Sequence, residues 1–256
     1  MTHRHFAQHA TYLAVLGFIV LGLPTAAPAA PTITSLKIGA FPIPGFPHTG
    51  NILGAGAVIQ GQATISGTEY GGFPSPLTGI KFYAPTGTRL HPQGFATCSP
   101  SVIEQSGPKL CPKRSIAGPK GRAVGVVSFG GERVPETASV QPFFAPNNEL
   151  VVFVDGTTPT LLEILATAHV VNSSPPFGVE FIGEVPLIET VPEAPDASFE
   201  EGTVGIGAAF KQGKKKIYYV TLPKSCPKHG WPTKMELSFL SGATAEASYT
   251  MPCPKR

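Results

Sequence analysis

Residues 231–253 read WPTKMELSFLSGATAEASYTMPC, and this stretch decides the fold class. Apolar residues alternate with polar ones in residues 233–239, and small or apolar residues alternate with polar ones in residues 243–251. An alternation of period two is typical of a β-strand that buries one face. The stretch therefore predicts an antiparallel hairpin with one face in the core and one in solvent.

The length of the hairpin loop follows from the need to pair its two apolar faces. A two-residue Ser241-Gly242 turn would place Phe239 opposite Thr244, whereas a three-residue Leu240-Ser241-Gly242 loop places it opposite Ala243. Because a one-residue slip turns every side chain to the other face, we predict the three-residue loop. Its glycine is expected in the left-handed conformation.

Four cysteines accompany this pattern, namely Cys98, Cys111, Cys226 and Cys253. None forms a C-x-x-C pair, so the spacing suggests neither a zinc knuckle nor a thioredoxin-like site. An even number in an exported chain indicates two disulfides, with three possible connectivities. We favour Cys98–Cys111 and Cys226–Cys253, since each pair brackets a local unit. With the three-residue loop, Cys253 lies opposite His229. The chain then needs only a short turn between Cys226 and His229 to bring Cys226 to Cys253.

Residues 1–29 predict an export signal. Arg4 precedes an apolar run at residues 12–23, and Ala27 and Ala29 provide the small residues of a cleavage site after Ala29. The run is shorter than the roughly 20 residues that span a membrane, although an uncleaved membrane anchor is the alternative. We expect a mature chain that is secreted or held at the cell surface and that meets the membrane only through the signal peptide.

The rest of the chain, residues 30–256, predicts an all-β fold. The 29 glycines and 28 prolines favour short strands and turns, and a hydrophobic fraction of 42% supplies a core. One short helix is expected inside the first disulfide loop, capped by Ser99 and ended by Gly107. We predict a single antiparallel β-sandwich with one short helix and two disulfides. The alternative is two small sandwiches divided near residues 190–198.

The other strands are expected at residues 57–69, 79–84, 122–129, 139–145, 149–154, 178–185, 203–210 and 216–222. Residues 150–154 are apolar throughout, so both faces of that strand should be covered. Residues 161–171 permit a helix, but the context favours a strand. The proline-rich residues 31–50 suit an edge strand or an extended arm.

The charged residues are unevenly placed, although the formal net charge is only +3 and gives no reason to expect nucleic acid binding. Residues 179–210 contain seven acids and no Lys or Arg, and four lysines follow within residues 211–216. A second basic cluster spans residues 109–122. These clusters are either solvated loops and strand ends or two electrostatic faces that orient the molecule on a charged polymer such as a cell wall.

No motif indicates catalysis, a metal or a cofactor. The histidines outside the signal are His48, His91, His169 and His229, and no two are spaced as metal ligands. Of these, His169 is the one most expected to be buried. The chain lacks a G-x-S-x-G elbow, and its two aspartates are too few for a calcium loop.

Glutamate and tryptophan residues also bear on function. Glu180 and Glu184 would lie about 13 Å apart on one strand face, beyond the roughly 5–9.5 Å of glycosidase carboxylates. Trp231 is expected to be buried in the core beside a disulfide. The alternative is an exposed ring that stacks against a sugar, a sugar-stacking platform. We therefore predict no catalytic residue, no metal and no cofactor.

Short motifs along the chain resemble those of a family of exported bacterial proteins of unknown function. They are Pro85-Thr86-Gly87-Thr88-Arg89-Leu90 before Cys98, Gly107-Pro108 with Cys111-Pro112, Ser115, Pro176-Phe177-Gly178 with Pro186, Ala197-Ser198-Phe199, Cys226-Pro227 with Gly230-Trp231, and Pro252-Cys253-Pro254. The resemblance covers most of the mature chain. It implies export, two disulfides and a β-rich fold, and it implies no activity.

The sequence thus favours a non-enzymatic exported protein that binds or supports structure at the cell surface or wall. The alternative is a secreted hydrolase acting on polysaccharide or another polymer. Aromatic residues on a flat face would favour binding, whereas two carboxylates or a Ser–His pair in a cleft would favour the enzyme.

Overall fold

The computed structural model describes residues 27–46, 52–129, 132–159, 161–188 and 195–254. Its strands are β1 Thr32–Phe41, β2 Val58–Ser66, β3 Leu77–Pro85, β4 Arg89–Leu90, β5 Gly121–Phe129, β6 Glu132–Phe144, β7 Leu150–Thr158, β8 Leu162–Asn172, β9 Phe177–Glu184, β10 Ser198–Ile206, β11 Ala209–Gln212, β12 Lys215–Tyr218, β13 Val220–Thr221, β14 Trp231–Phe239 and β15 Thr244–Met251. The helix α1 spans Pro100–Ser106, and single 3₁₀ turns lie at Pro108–Leu110, Lys113–Ser115 and Pro146–Asn148. Within these described residues, no helix has the length and apolar character needed to cross a membrane.

One antiparallel sheet of eleven strands contains most of the described residues, in the order β1-β2-β10-β5-β6-β7-β8-β9-β3-β14-β15. Its two edge strands, β1 and β15, lie beside each other, so the sheet is nearly barrel-like. The predicted antiparallel all-β fold is confirmed, and "sandwich" describes it only approximately. The alternation of side chains shows that each strand buries a face, but it does not distinguish two packed sheets from one curled sheet.

The hairpin at the chain's C-terminal end has the predicted register. Leu237 lies opposite Ala245, and the Phe239 amide donates to the Ala243 carbonyl at 3.1 Å. The three-residue loop is therefore formed, and Gly242 has a φ of +81°.

Both disulfides join the pairs favoured by the sequence, Cys98–Cys111 and Cys226–Cys253. The helix between the first pair is capped as expected, since the Ser99 hydroxyl accepts from the Val102 amide at 3.4 Å. This helix packs its buried Ile103 on the outer face of the sheet. The outer face of β7 is thereby covered while its other face points inward, which confirms the expectation for residues 150–154.

The strand assignments also describe segments for which the sequence left alternatives open. Of residues 161–171, all but Leu161 belong to a strand, β8, and β1 is an edge strand. Strands from before and after residues 190–198 lie in the same sheet, where β10 pairs with β2 and β5. Most of the export signal lies outside the described residues. Ala29 is described, and its amide donates to the Thr68 hydroxyl at 2.8 Å.

The two ends of the curled sheet differ. At the disulfide end, defined by the two Cys pairs, aromatic rings pack between the strand ends, with Phe144 at 4.4 Å from Tyr219 and 4.8 Å from Phe95 between ring centroids. Burial raises the pKa of Tyr219 to about 12, so its hydroxyl stays protonated at neutral pH. Trp231 is 1% exposed and its indole donates to the Ser225 carbonyl at 3.0 Å. It is a core residue, which rules out the sugar-stacking platform.

We predict that Gly242→Val destabilises the fold by roughly 1–3 kcal/mol, because a β-branched residue is strained at positive φ. A side chain there meets no atom within 4 Å, so the backbone conformation alone is responsible. Gly242→Asn is the matched control, since Asn tolerates this region and should cost clearly less. Denaturant unfolding with intact disulfides measures both variants, and equal stability of the two would contradict the proposed cause.

Candidate functional site

The inward face of the curled sheet carries many residues smaller than valine. The small residues that line a cavity there are Gly61, Ala63, Ala123, Gly125, Ala138, Ala166, Ala168, Gly183 and Gly202. The register places several of them directly opposite one another, as in Ala63 with Gly202 and Ala123 with Ala138. Because neighbouring strands are small at the same level, no side chain from across the pair fills the space.

The resulting cavity has a volume of about 280 Å³. Larger apolar side chains form the rest of its wall, among them Val140, Val152, Val154, Ile164, Met235 and Leu237. Its volume is about twice the roughly 150 Å³ of an apolar cavity that holds one benzene molecule. The size is thus close to the lower end of ligand pockets, which measure about 300–1,000 Å³.

The two ends of the cavity differ in the exposure of their described lining residues. Towards the disulfide end it meets Leu150 and Val220, which belong to the core beneath the aromatic cluster. At the opposite end its lining includes the exposed residues Glu184, Pro186 and Leu187. We call this the open end. The segments that follow β9 and precede β10 meet there, where the Ala197 amide donates to the Ile188 carbonyl at 2.9 Å.

Glu136 is the one charged residue that is both buried and part of the described cavity lining. It is 4% exposed and lies opposite Gly125 in the pairing of β5 with β6. A Cβ atom at Gly156 would lie 3.2 Å from its Oε1 atom, so this glycine leaves room for the carboxylate. A buried charge is costly unless polar interactions compensate for lost hydration. A core packed only for stability would not favour glutamate here.

The histidines do not form a site. His169 is exposed, so the expectation that it is buried is wrong. The reason is register: Ala168 faces inward on β8, and its neighbour therefore points outward. His91 lies 3.2 Å from the Thr221 hydroxyl, and His48 is outside the described residues. Within the described part of the chain, no group of three or more His, Cys, Asp or Glu could hold a metal.

Carboxylates also gather on the outer face of β3, β9 and β14. Tyr83 donates to Glu236 at 3.1 Å, lies opposite Glu180, and is covered by the Lys234 ammonium. The hydrogen bond and charge of Lys234 lower the pKa of Glu236. A general acid needs the opposite shift. This cluster is therefore a polar network on an open sheet surface rather than an acid–base pair in a cleft.

The two charge clusters of the sequence lie at opposite ends of the molecule. Acidic residues at the strand ends and loops of the open end include Glu69, Glu132, Asp155, Glu163, Glu184, Asp196, Glu200 and Glu201. Basic residues in the connections of the disulfide end include Lys109, Lys113, Arg114, Lys120, Lys211, Lys214, Lys215, Lys216, Lys224 and Lys228. The exceptions are few, such as Arg133 at the open end, which forms an ion pair with Glu200.

Comparisons with protein-family models, with curated proteins and with solved structures each gave no match. The resemblance to an exported bacterial family therefore stays a prediction. The features of the molecule that bear on function are the cavity, Glu136 and the distribution of charge.

Sequence reasoning did not find the cavity, although a signal for it was present. Once the strands are assigned, the alternation of side chains identifies the inward positions. Many of these positions are Gly or Ala. Only the register shows that these positions coincide on neighbouring strands.

We predict that Ala166→Leu raises the free energy of unfolding by about 0.5–2 kcal/mol, as cavity-filling substitutions commonly do. Ala166 lies opposite Val152 in the cavity wall. His169→Leu adds a similar side chain to the exposed face of the same strand and should give no comparable gain. If the space were already filled, Ala166→Leu would instead destabilise by roughly 1–3 kcal/mol through overpacking. Denaturant unfolding distinguishes the two outcomes.

Proposed function

We propose that this chain is an exported, non-enzymatic binding protein that holds a small apolar molecule inside its curled sheet. The observation that carries the proposal is the cavity of about 280 Å³, lined by inward-facing Gly and Ala and reaching the surface at the open end.

A binding site explains the cavity better than a packing defect does. Protein cores normally contain few voids larger than a water molecule. The value of about 24 cal/mol per Å³ applies to enclosed cavities, and for 280 Å³ it gives an upper limit of about 7 kcal/mol on the cost of an empty cavity, which access of solvent at the open end lowers. Single Ala-to-Val changes on the inward face would remove part of it, so a retained cavity is best explained by an occupant.

Export is supported by the two disulfides, which persist in oxidising compartments, and by the signal pattern of residues 1–29. The hydrolase alternative would need two carboxylates or a Ser–His pair converging in a cleft. In the described cavity lining Glu136 is the single buried carboxylate. Binding is therefore the better-supported function.

Retention at a surface is supported by a separate observation, the basic disulfide end. Its lysines include the turn and flanks of the β11–β12 hairpin, which are exposed. An array of cations on one end of a molecule with little net charge orients that end towards an anionic polymer. We propose that the protein associates with such a polymer at the cell surface or wall through this end.

The binding proposal is tested with naphthalene, a neutral apolar probe, titrated into the purified protein and followed by its fluorescence. We expect wild type to bind and Ala166→Leu to bind at least about tenfold more weakly, a loss of about 1.4 kcal/mol. The His169→Leu control should bind as wild type does. Absence of binding by wild type, or equal binding by Ala166→Leu, would refute the cavity as the site.

The surface proposal is tested on an immobilised anionic polysaccharide eluted with salt. The double variant Lys214→Ala/Lys216→Ala should elute at clearly lower salt than wild type. Lys37→Ala/Lys81→Ala removes the same charge from the strands β1 and β3 and is the matched control. Equal shifts for the two double variants would show that only net charge matters, and no retention of wild type would contradict the proposal.

A further inference from the structure

We infer that the ligand is an amphiphile, with a small apolar body in the cavity and a cationic or hydrogen-bond-donating group at the Glu136 carboxylate. This inference rests on the proposed binding function and names the class of ligand for the same cavity.

Glu136 lies on the inward face of the sheet, towards the open end of the cavity. Its strand β6 places it two residues before Ala138, on the same inward face and nearer the open end. Glycine faces it on β5 as Gly125, and Gly156 on β7 leaves space beside its Oε1 atom. The carboxylate therefore lies in the cavity wall between the apolar interior and the mouth. A ligand that enters with its apolar part first would bring a polar end to this level.

A carboxylate selects for a particular kind of polar group on the ligand. When ionised, it offers only acceptors, with two oxygens and about four lone-pair sites. It can thus accept from a ligand ammonium or hydroxyl while keeping contacts within the chain. Charge-assisted hydrogen bonds are roughly twice as strong as neutral ones, and apolar surroundings strengthen them further. A ligand carboxylate in the same place would bring two like charges together and be disfavoured.

Two further charged residues border the cavity. These are Arg122 and Glu184, which are both exposed. Glu184 lies at the open end and adds to the preference for a cation. Arg122 is the second residue of β5 and precedes the inward-facing Ala123, so by alternation its side chain lies on the outer face of the sheet. Of the three charged residues, Glu136 is therefore the one whose side chain is buried at the cavity.

The volume limits the apolar part of the ligand. Since about 150 Å³ accommodates one benzene, 280 Å³ accommodates on the order of ten non-hydrogen atoms. Straight eight-carbon chains with different end groups match this limit and differ only in the feature under test.

The experiment measures the affinities of octylamine, octanol and octanoate for wild type by calorimetry near neutral pH, below their aggregation concentrations. We expect octylamine to bind most tightly and octanoate at least about tenfold more weakly. Glu136→Gln should weaken octylamine binding by about tenfold and leave octanol within about threefold of wild type. Glu104→Gln, the same change at an exposed residue of the helix α1, should leave all three affinities unchanged.

Each contrary result has a distinct meaning. Tighter binding of octanoate than of octylamine would overturn the role of Glu136. Equal binding of the three compounds would overturn this inference and leave the apolar cavity as the site. Binding of naphthalene but of none of the three would also overturn it, whereas absence of binding by all four would refute the proposed function itself. The comparison of the three compounds on wild type needs no variant, so a folding defect in Glu136→Gln cannot obscure the result.

Discussion

Cross-strand register is the constraint on which the rest of this structure depends. In one curled sheet, the inward residues of eleven strands share a single interior, and each level of that interior is filled only if neighbouring strands supply bulk together. At the disulfide end large side chains meet, since Phe144 lies opposite Leu150 and its ring packs against that of Tyr219. Further along, the register pairs Ala with Ala or Gly, as for Ala123 and Ala138, and the space between them stays open.

The local features of this fold were predictable because short-range chemistry determines them. The 240–242 loop, the Ser99 cap and the two disulfides each depend on residues close together in sequence. Closure of the sheet depends on residues far apart in sequence, because β10 inserts between β2 and β5 from more than 70 residues away. The exposure of His169 and the coincidence of small residues around the cavity both follow from this long-range register. Consequently the fold class could be predicted from sequence, whereas the candidate site could not.

The two ends of the sheet have different physical characters. Disulfides, the buried Trp231 and the Phe95–Phe144–Tyr219 cluster constrain one end. The open end has no disulfide among its described residues, and its strands are joined there by the connections that border the cavity mouth. A cavity is more easily kept open when one end of the sheet is fixed, because the strands then cannot all shift inward to fill it.

The distribution of charge relates the two proposed contacts to each other. If the basic disulfide end lies on an anionic polymer, the open end points away from that polymer and into solvent, so the cavity mouth stays accessible. The open end is itself acidic, and a field of one sign around a cleft raises the local concentration of ligands of the opposite charge. A cationic amphiphile would thus be attracted by the same end at which Glu136 receives its polar group. An anionic ligand would be repelled by that end before reaching the cavity, so the proposed ligand class is consistent with both the interior carboxylate and the surface charge.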